Sequence, residues 1–278
     1  VTGSAGFIGY HLCLKLLKHN NNVIGIDSIN NYYSIKIKKD RLKILKSFKK
    51  FKFYKNDLTK HSSLHKIFKS NKVDIIIHLA AQAGVRYSIK NPHSYTKNNL
   101  VAFSTILEFT KLYKIKHFLF ASSSSVYGNL SKFPLSEEYI CKPIQYYAAT
   151  KLSNEIIAES YFKAFDIKIT GLRFFTVYGP YGRPDMALFK FTKNILNKEY
   201  IDLYNNGNHI RDFTYIDDVV NSILAIIVKK SKKNNFDIVN IASGNPIELK
   251  KYLKLIEKYL DIKAKIKFLP LQLGDVKK

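Results

Sequence analysis

Short apolar runs alternate with helical periodicity along the first two thirds of the chain. Segments 23–26, 51–54, 73–79, 117–121 and 167–172 are nearly continuous in aliphatic and aromatic residues. That is the pattern of strands buried on both faces of a parallel sheet. Helical stretches lie between them, at about 6–19, 60–70, 95–114 and 147–165. Strand, helix and strand in repetition predict an α/β fold, a Rossmann-type doubly wound parallel sheet. Beyond residue 175 the pattern loosens. Gly and Pro cluster in Tyr178-Gly179-Pro180-Tyr181-Gly182-Arg183-Pro184, and helices are expected near 186–197, 215–230 and 247–259 with short strands between. The expected division is a sheet domain over 1–175 and a smaller C-terminal lobe, mainly 176–278, packed on the sheet's edge. The first strand is reduced to Val1-Thr2, and the chain ends at Asp275-Val276-Lys277-Lys278 after an apolar segment; both ends are expected to be cut.

Composition narrows the class further. With 278 residues, 46% hydrophobic and 24% charged, the chain can bury a sizeable core and lacks the signature of disorder. No apolar run approaches the ~18 residues that a membrane span needs, and no secretory leader pattern opens the chain. Cys13 and Cys141 make no disulfide framework, which points to a reducing, cytoplasmic compartment. Lys+Arg is 46 against 21 Asp+Glu, a net charge of +25. Such a charge raises the question of nucleic acid or an anionic surface. Only Arg41, Arg86, Arg173, Arg183 and Arg211 are arginines, however, and the lysines are spread through a chain rich in Ile and Asn. This reads as composition bias on a solvated surface. A nucleic-acid reader would concentrate Arg and aromatic residues in one element, so no nucleic-acid partner and no membrane are expected.

Two motifs carry chemistry. Val1-Thr2-Gly3-Ser4-Ala5-Gly6-Phe7-Ile8-Gly9 sets three glycines at three-residue spacing between a strand remnant and a helix. A pyrophosphate needs backbone N–H groups at close range and the positive end of a helix. Side chains at Gly3 or Gly6 are expected to hold phosphates away, and Gly9 to let the helix sit close to the strand. Asp27 follows the second strand at the spacing of a ribose-binding carboxylate, which favours NAD over its 2′-phosphorylated form. The second motif is Tyr147-Ala148-Ala149-Thr150-Lys151. Positions i and i+4 share one helix face. An adjacent ammonium favours the phenolate, so Tyr147 is read as a proton acceptor assisted by Lys151. The hydroxyl run Ser122-Ser123-Ser124-Ser125 follows a strand, where open α/β sheets bind ligands.

These segments, with Asn56-Asp57-Leu58, His78-Leu79-Ala80-Ala81-Gln82, Ser122 to Gly128 and Arg211-Asp212-Phe213-Thr214-Tyr215-Ile216-Asp217-Asp218, resemble in order the extended short-chain dehydrogenase/reductase family of nucleotide-sugar epimerases and dehydratases. The likeness runs through essentially the whole chain. Ala81 to Ser88, Leu172 to Pro180 and Gly182 to Ala187 resemble its UDP-glucuronate 4-epimerase branch.

The resemblance implies NAD held by Gly3, Gly6, Phe7, Ile8, Gly9, Asp27, Asp57, Leu58, Leu79, Ala80, Ala81, Gln82, Asn99, Ser122, Tyr147, Lys151, Phe174 and Val177. It implies a catalytic Ser123, Tyr147 and Lys151. It implies a UDP-sugar held by Arg86, Ser123, Ser124, Ser125, Thr176, Arg183, Met186, Tyr204, Arg211, Gln272 and Asp275. The implied reaction is inversion at C4 of UDP-glucuronate to UDP-galacturonate through a transient 4-keto sugar, in a homodimer formed through two helices. Thr176 stands where UDP-glucose epimerases carry Asn, and Arg183 adds charge suited to a uronate carboxylate. Ser124 and Ser125 replace the Asp-Glu of 4,6-dehydratases, which disfavours elimination. A 4-epimerase of a neutral or N-acetylated UDP-sugar and a non-catalytic binder with a basic surface are the alternatives.

Overall fold

A computed structural model describes residues 1–130, 132–229, 234–272 and 274–276. The helices are α1 (Phe7–Lys18), α2 (Ile35–Lys46), α3 (His61–Lys69), α4 (Val85–Lys90), α5 (Pro92–Tyr95), α6 (Ala102–Leu112), α7 (Tyr146–Phe165), α8 (Ala187–Leu196), α9 (Ile216–Val228) and α10 (Leu249–Leu260). The strands are β1 (Val23–Asp27), β2 (Phe51–Lys55), β3 (Ile75–His78), β4 (His117–Ser123), β5 (Ile169–Phe174), β6 (Thr176–Tyr178), β7 (Tyr200–Tyr204), β8 (Ile210–Tyr215), β9 (Phe236–Ile241), β10 (Pro246–Glu248) and β11 (Lys265–Leu269).

The principal sheet is parallel. β1 pairs with β2, and β3, β4, β5 and β9 pair in that order. Thr2 joins the two halves, bridging Ile26 on one side and His78 on the other. The opening residues therefore lie at the centre of the sheet, where the strand order reverses. Ligands bind open α/β sheets beyond the carboxyl ends of strands at such a point.

Side-chain alternation along β4 shows why the sheet is covered twice. Phe118 and Phe120 enter a core with Leu64, Phe68, Phe103, Ile106 and Phe109 of α3 and α6. Leu119 faces the other way, with Leu12 of α1 and Val219 and Ile223 of α9. A strand buried on both faces is apolar at successive positions, which is what the sequence displays.

Three elements differ from the sequence reading. α2 fills a stretch in which no helix was expected. Its opening Ile35-Lys36-Ile37-Lys38 alternates like a strand, and two of its four buried positions, Lys38 and Arg41, are cationic. The helix expected at 95–114 is divided into α5, a π-helical turn over Thr96–Val101, and α6. β9 lies beyond residue 175 yet completes the principal sheet beside β5, and α9 packs on that sheet, so the 176–278 segment contributes to the principal sheet as well. The remainder of that segment forms the β6-β8-β10 sheet and the parallel β7–β11 pair, with a core of Phe191, Ile195, Ile201, Leu203, Tyr252 and Leu253. Among the described residues, no helix is long and apolar enough to cross a membrane.

Candidate active site

The glycine turn and the carboxyl ends of the strands surround a cavity of about 270 Å³. Gly3, Gly6 and the first turn of α1 (Phe7, Ile8, Gly9) form one wall. Asp27, Asp57 and Leu58 line one region and Leu79 to Gln82 another. Ser122, Ser123, Tyr147, Lys151, Phe174, Val177, Arg183 and Met186 also line it. The fold thus brings together every residue singled out for the dinucleotide except Asn99.

Asn99 stands behind the wall. It is 1% exposed, accepts the Gln82 N–H at 2.7 Å, and donates to Gln82 O and Thr150 Oγ1, both at 3.1 Å. The π-helical turn presents the adjacent Asn98 to the cavity instead. Asn99 is a buttress for Gln82 rather than a lining residue.

The glycines answer first to the turn's own backbone. Gly3 has φ +70°, and a Cβ there would stand 2.8 Å from Ala80 N. A Cβ at Gly6 would lie 2.9 Å from Gly3 O, and one at Gly9 would lie 2.1 Å from the same oxygen. The expectation that Gly3 and Gly6 are small chiefly for the ligand's sake is therefore amended. Their smallness lets the turn fold against α1 and β3, which brings the helix N-terminus to the cavity.

The site fits a dinucleotide. First-turn N–H groups of α1, for which the helix offers no acceptor, line the cavity and suit an anion. Asp27 accepts from Ala5 N at 3.1 Å and Ile29 N at 2.8 Å, and each oxygen keeps a lone pair for a ribose hydroxyl. Burial opposes ionisation of Asp57, but bonds from Thr59 and the Lys97 ammonium, 3.1 Å away, hold its carboxyl below the usual range.

At the other end, Tyr147 and Lys151 sit one turn apart on α7. Lys151 is 3% exposed, donates to Ala121 O at 2.8 Å, and lies 6.0 Å from the Tyr147 ring centroid. Burial pulls its pKa down to about 8, with the Glu155 charge opposing. Burial pushes the half-buried Tyr147 phenol above its usual pKa, although the Ser123 hydroxyl and the Arg183 charge favour the phenolate. The sequence reading had the Lys151 ammonium lower the phenol's pKa, with the oxidised nicotinamide adding to it; in the chain by itself the favouring cation is Arg183 and the net shift is upward. Ser123 Oγ accepts from Ser125 N–H at 3.2 Å.

The substrate residues divide into four groups. Ser123, Arg183 and Met186 line the cavity. Thr176 lines an adjoining pocket that shares Phe7, Val177, Arg183 and Met186 with it. Ser124 and Ser125 lie on a 3₁₀ turn after β4 and line neither. Arg86, Tyr204, Arg211, Gln272 and Asp275 form a second cluster outside both walls. Arg86 reaches Asp275 at 2.8 Å and stands 5.0 Å over the Tyr204 ring. Asp275 N–H donates to Gln272 O at 3.2 Å, and Arg211 donates to Val276 O at 2.5 Å.

Several residues here went unseen in the sequence. Asp185 pairs with Arg183 through both guanidinium edge nitrogens and accepts from Tyr32 Oη at 3.4 Å. Buried Glu155 holds Arg173 at 3.0 and 2.7 Å and accepts from Ser122 Oγ. His209 lies 3.8 Å from Asp275. Glu155 was legible as the next i+4 position after Lys151. Nothing local marks His209 or Tyr32.

Residues 1–242 match the model of the NAD dependent epimerase/dehydratase family. The UDP-glucuronate 4-epimerase of Thermodesulfobacterium geofontis is 38% identical over 279 residues, covering 100% of this chain and 85% of that protein. The crystal structure of a UDP-glucuronic acid 4-epimerase from Bacillus cereus, in complex with UDP-glucuronic acid and NAD, superposes with a TM-score of 0.94 at 35% identity, over 99% of this chain and 87% of that one. The UDP-glucose 4-epimerase of Thermotoga maritima, with UDP-glucose, gives 0.90 at 29% identity, over 100% and 87%.

Proposed function

The chain belongs to the NAD dependent epimerase/dehydratase family, and we propose that within it the protein is a UDP-sugar 4-epimerase that interconverts UDP-glucuronate and UDP-galacturonate. The observation that carries this reading is the meeting of Ser123, Tyr147 and Lys151 with Arg183 on one cavity. A proton acceptor and a cation suited to a carboxylate therefore line the same space.

NAD, when bound, supplies a carbon that takes hydride from sugar C4 and returns it, so the sugar undergoes no net redox change. Gly3, Gly6, Phe7, Ile8, Gly9, Asp27, Asp57, Leu58, Leu79 to Gln82, Ser122, Phe174 and Val177 hold it, with Asn99 bracing Gln82. Tyr147 Oη takes the proton of the sugar 4-hydroxyl, with Ser123 Oγ fixing that hydroxyl. Tyr147 later returns the proton to the C4 oxygen. The Lys151 ammonium, protonated below about 8, and Arg183 offset the phenolate charge.

Buried Phe174 and Val177 keep water from the reacting carbon. Arg183 and Thr176 receive the uronate carboxylate, a task for which a planar guanidinium is suited. Met186 packs at the same end. Arg86, Tyr204, Arg211, Gln272 and Asp275 take the UDP moiety. Two copies pair through α6 and α7, which leave Leu112 and Ile156 more than half exposed.

Proton NMR of the protein with NAD and a mixture of UDP-glucuronate, UDP-glucose and UDP-N-acetylglucosamine tests the assignment. New anomeric signals of UDP-galacturonate alone are expected. Conversion of a neutral sugar in its place would keep the mechanism and overturn the substrate. Thr176→Asn combined with Arg183→Ala is expected to damage uronate turnover most, and equal losses on all sugars would count against the role of these two residues.

A further inference from the structure

Arg41 is the one arginine outside every motif read from the sequence. It is 0% exposed, on α2, and its guanidinium reaches three parts of the chain. Nη1 donates to Ala5 O in the glycine turn and to Tyr33 Oη, both at 2.8 Å. Nη2 donates to Tyr181 O at 2.6 Å and Gly182 O at 3.2 Å, in the loop that leads directly into Arg183. Arg86, Arg173 and Arg183 each hold a carboxylate. Arg41 holds none among the described residues, and its buried Nε has no partner. The Tyr33 ring, 5.6 Å from the guanidinium carbon, adds a cation–π contact. A buried cation held by carbonyl and hydroxyl dipoles and a ring face, with no carboxylate, is incompletely compensated. A negative ligand at the glycine turn would supply the missing charge.

We propose that Arg41 is a positioning residue that couples the dinucleotide site to the sugar end of the cavity. Filling the glycine turn with a pyrophosphate tightens the Ala5 end of the bridge. The same guanidinium then fixes the Tyr181–Gly182 backbone and, through it, the start of the Arg183 side chain's reach. The coupling is reciprocal, as linkage requires. A planar fork with donors on two edges can hold the turn and the loop at once, and an ammonium cannot. The loop has other contacts with α1, from His11 Nε2 to Pro180 O at 2.9 Å and between the Tyr10 and Tyr181 rings at 5.4 Å. These fix it to the helix, whereas among the described residues Arg41 alone connects it to the turn's carbonyl. The proposal rests on the dinucleotide reading of the cavity but not on the identity of the sugar.

Hydrogen exchange of the full chain, read on peptides covering 1–10 and 179–187, tests it with NAD and with ADP-ribose as probes. ADP-ribose carries the pyrophosphate and lacks the nicotinamide, so it has no ring to set against the sugar-end residues. Both probes are expected to slow exchange in both peptides of the wild-type protein. In Arg41→Lys the 1–10 peptide should still respond and the 179–187 peptide should not, with NAD affinity about tenfold weaker. Tyr33→Phe removes one acceptor and leaves the bridge, so the joint response should persist. Protection of 179–187 by NAD but not by ADP-ribose, or its survival in Arg41→Lys, would overturn the coupling. The ADP-ribose arm decides the matter without any variant, should Arg41→Lys fail to fold. Absence of protection at 1–10 in the wild type would remove the dinucleotide reading and the coupling together.

Discussion

Glu155→Gln puts the buried charge behind the site to a quantitative test. Glu155 is 5% and Arg173 4% exposed, and the pair is bidentate at 3.0 and 2.7 Å. The same carboxylate accepts from Ser122 Oγ, and Arg173 also donates to Tyr127 Oη at 2.9 Å. Two charges about 4 Å apart attract by about 4 kcal/mol at an effective dielectric of about 20. Removing one partner of such a pair costs about 3–5 kcal/mol, because the other charge stays buried. Glutamine keeps one acceptor oxygen but turns an amide toward the guanidinium, so the expected loss is about 3 kcal/mol. For a chain of this size that lowers Tm by about 6–12 °C.

Scanning calorimetry of the ligand-free protein measures it. Glu155→Met with Arg173→Met should regain part of the loss, since neither charge is then orphaned. Glu155 also opposes the downward shift of Lys151. Glu155→Gln should therefore move the Lys151 pKa further below about 8, visible as a downward shift of the basic limb in the pH profile. A drop in Tm below about 2 °C, with the fold intact, would show that Arg173 is not left as a buried orphan charge, because it falls well short of the loss such a charge implies.

Tyr147→Phe should reduce kcat about 10²–10⁴-fold while leaving NAD affinity nearly unchanged, measured by NMR turnover and by titration; a loss below tenfold would remove the phenol from the chemistry. Gly9→Ala places a Cβ 2.1 Å from Gly3 O, and should cost about 1–3 kcal/mol and abolish tight NAD binding; unchanged binding would show that the turn yields. Burial holds His78 and His117 neutral, at pKa values of about 3 and about 4. Unfolded histidine takes a proton near pH ~6.5, so the stability these groups confer is present above that value and falls as pH drops toward their folded pKa, by about 2 kcal/mol each at pH 5. Urea unfolding at pH 7 and pH 5 checks this, and His117→Gln, which can still meet Thr170 Oγ1, 2.9 Å from the ring nitrogen, should flatten the dependence.

Features whose partners lie close along the chain were legible in the amino-acid order. The glycine spacing, Asp27 after its strand, and Tyr147 one helical turn before Lys151 depend on local geometry that any helix or strand imposes. The doubly wound sheet was legible because strands buried on both faces must be apolar throughout. Tertiary structure decided the features that depend on meetings between distant segments. Arg86 and Asp275 are 189 positions apart, and Arg183, in the loop after β6, lines the same cavity as Tyr147 of α7. α2 was invisible because its buried face includes Lys38 and Arg41, whose charges mimic a solvated surface; the carbonyls of Ala5, Tyr181 and Gly182, brought from two distant segments, together with the Tyr33 hydroxyl, make the burial of Arg41 tolerable. Charged groups reveal their role through the partners that desolvate with them, and the fold chooses those partners.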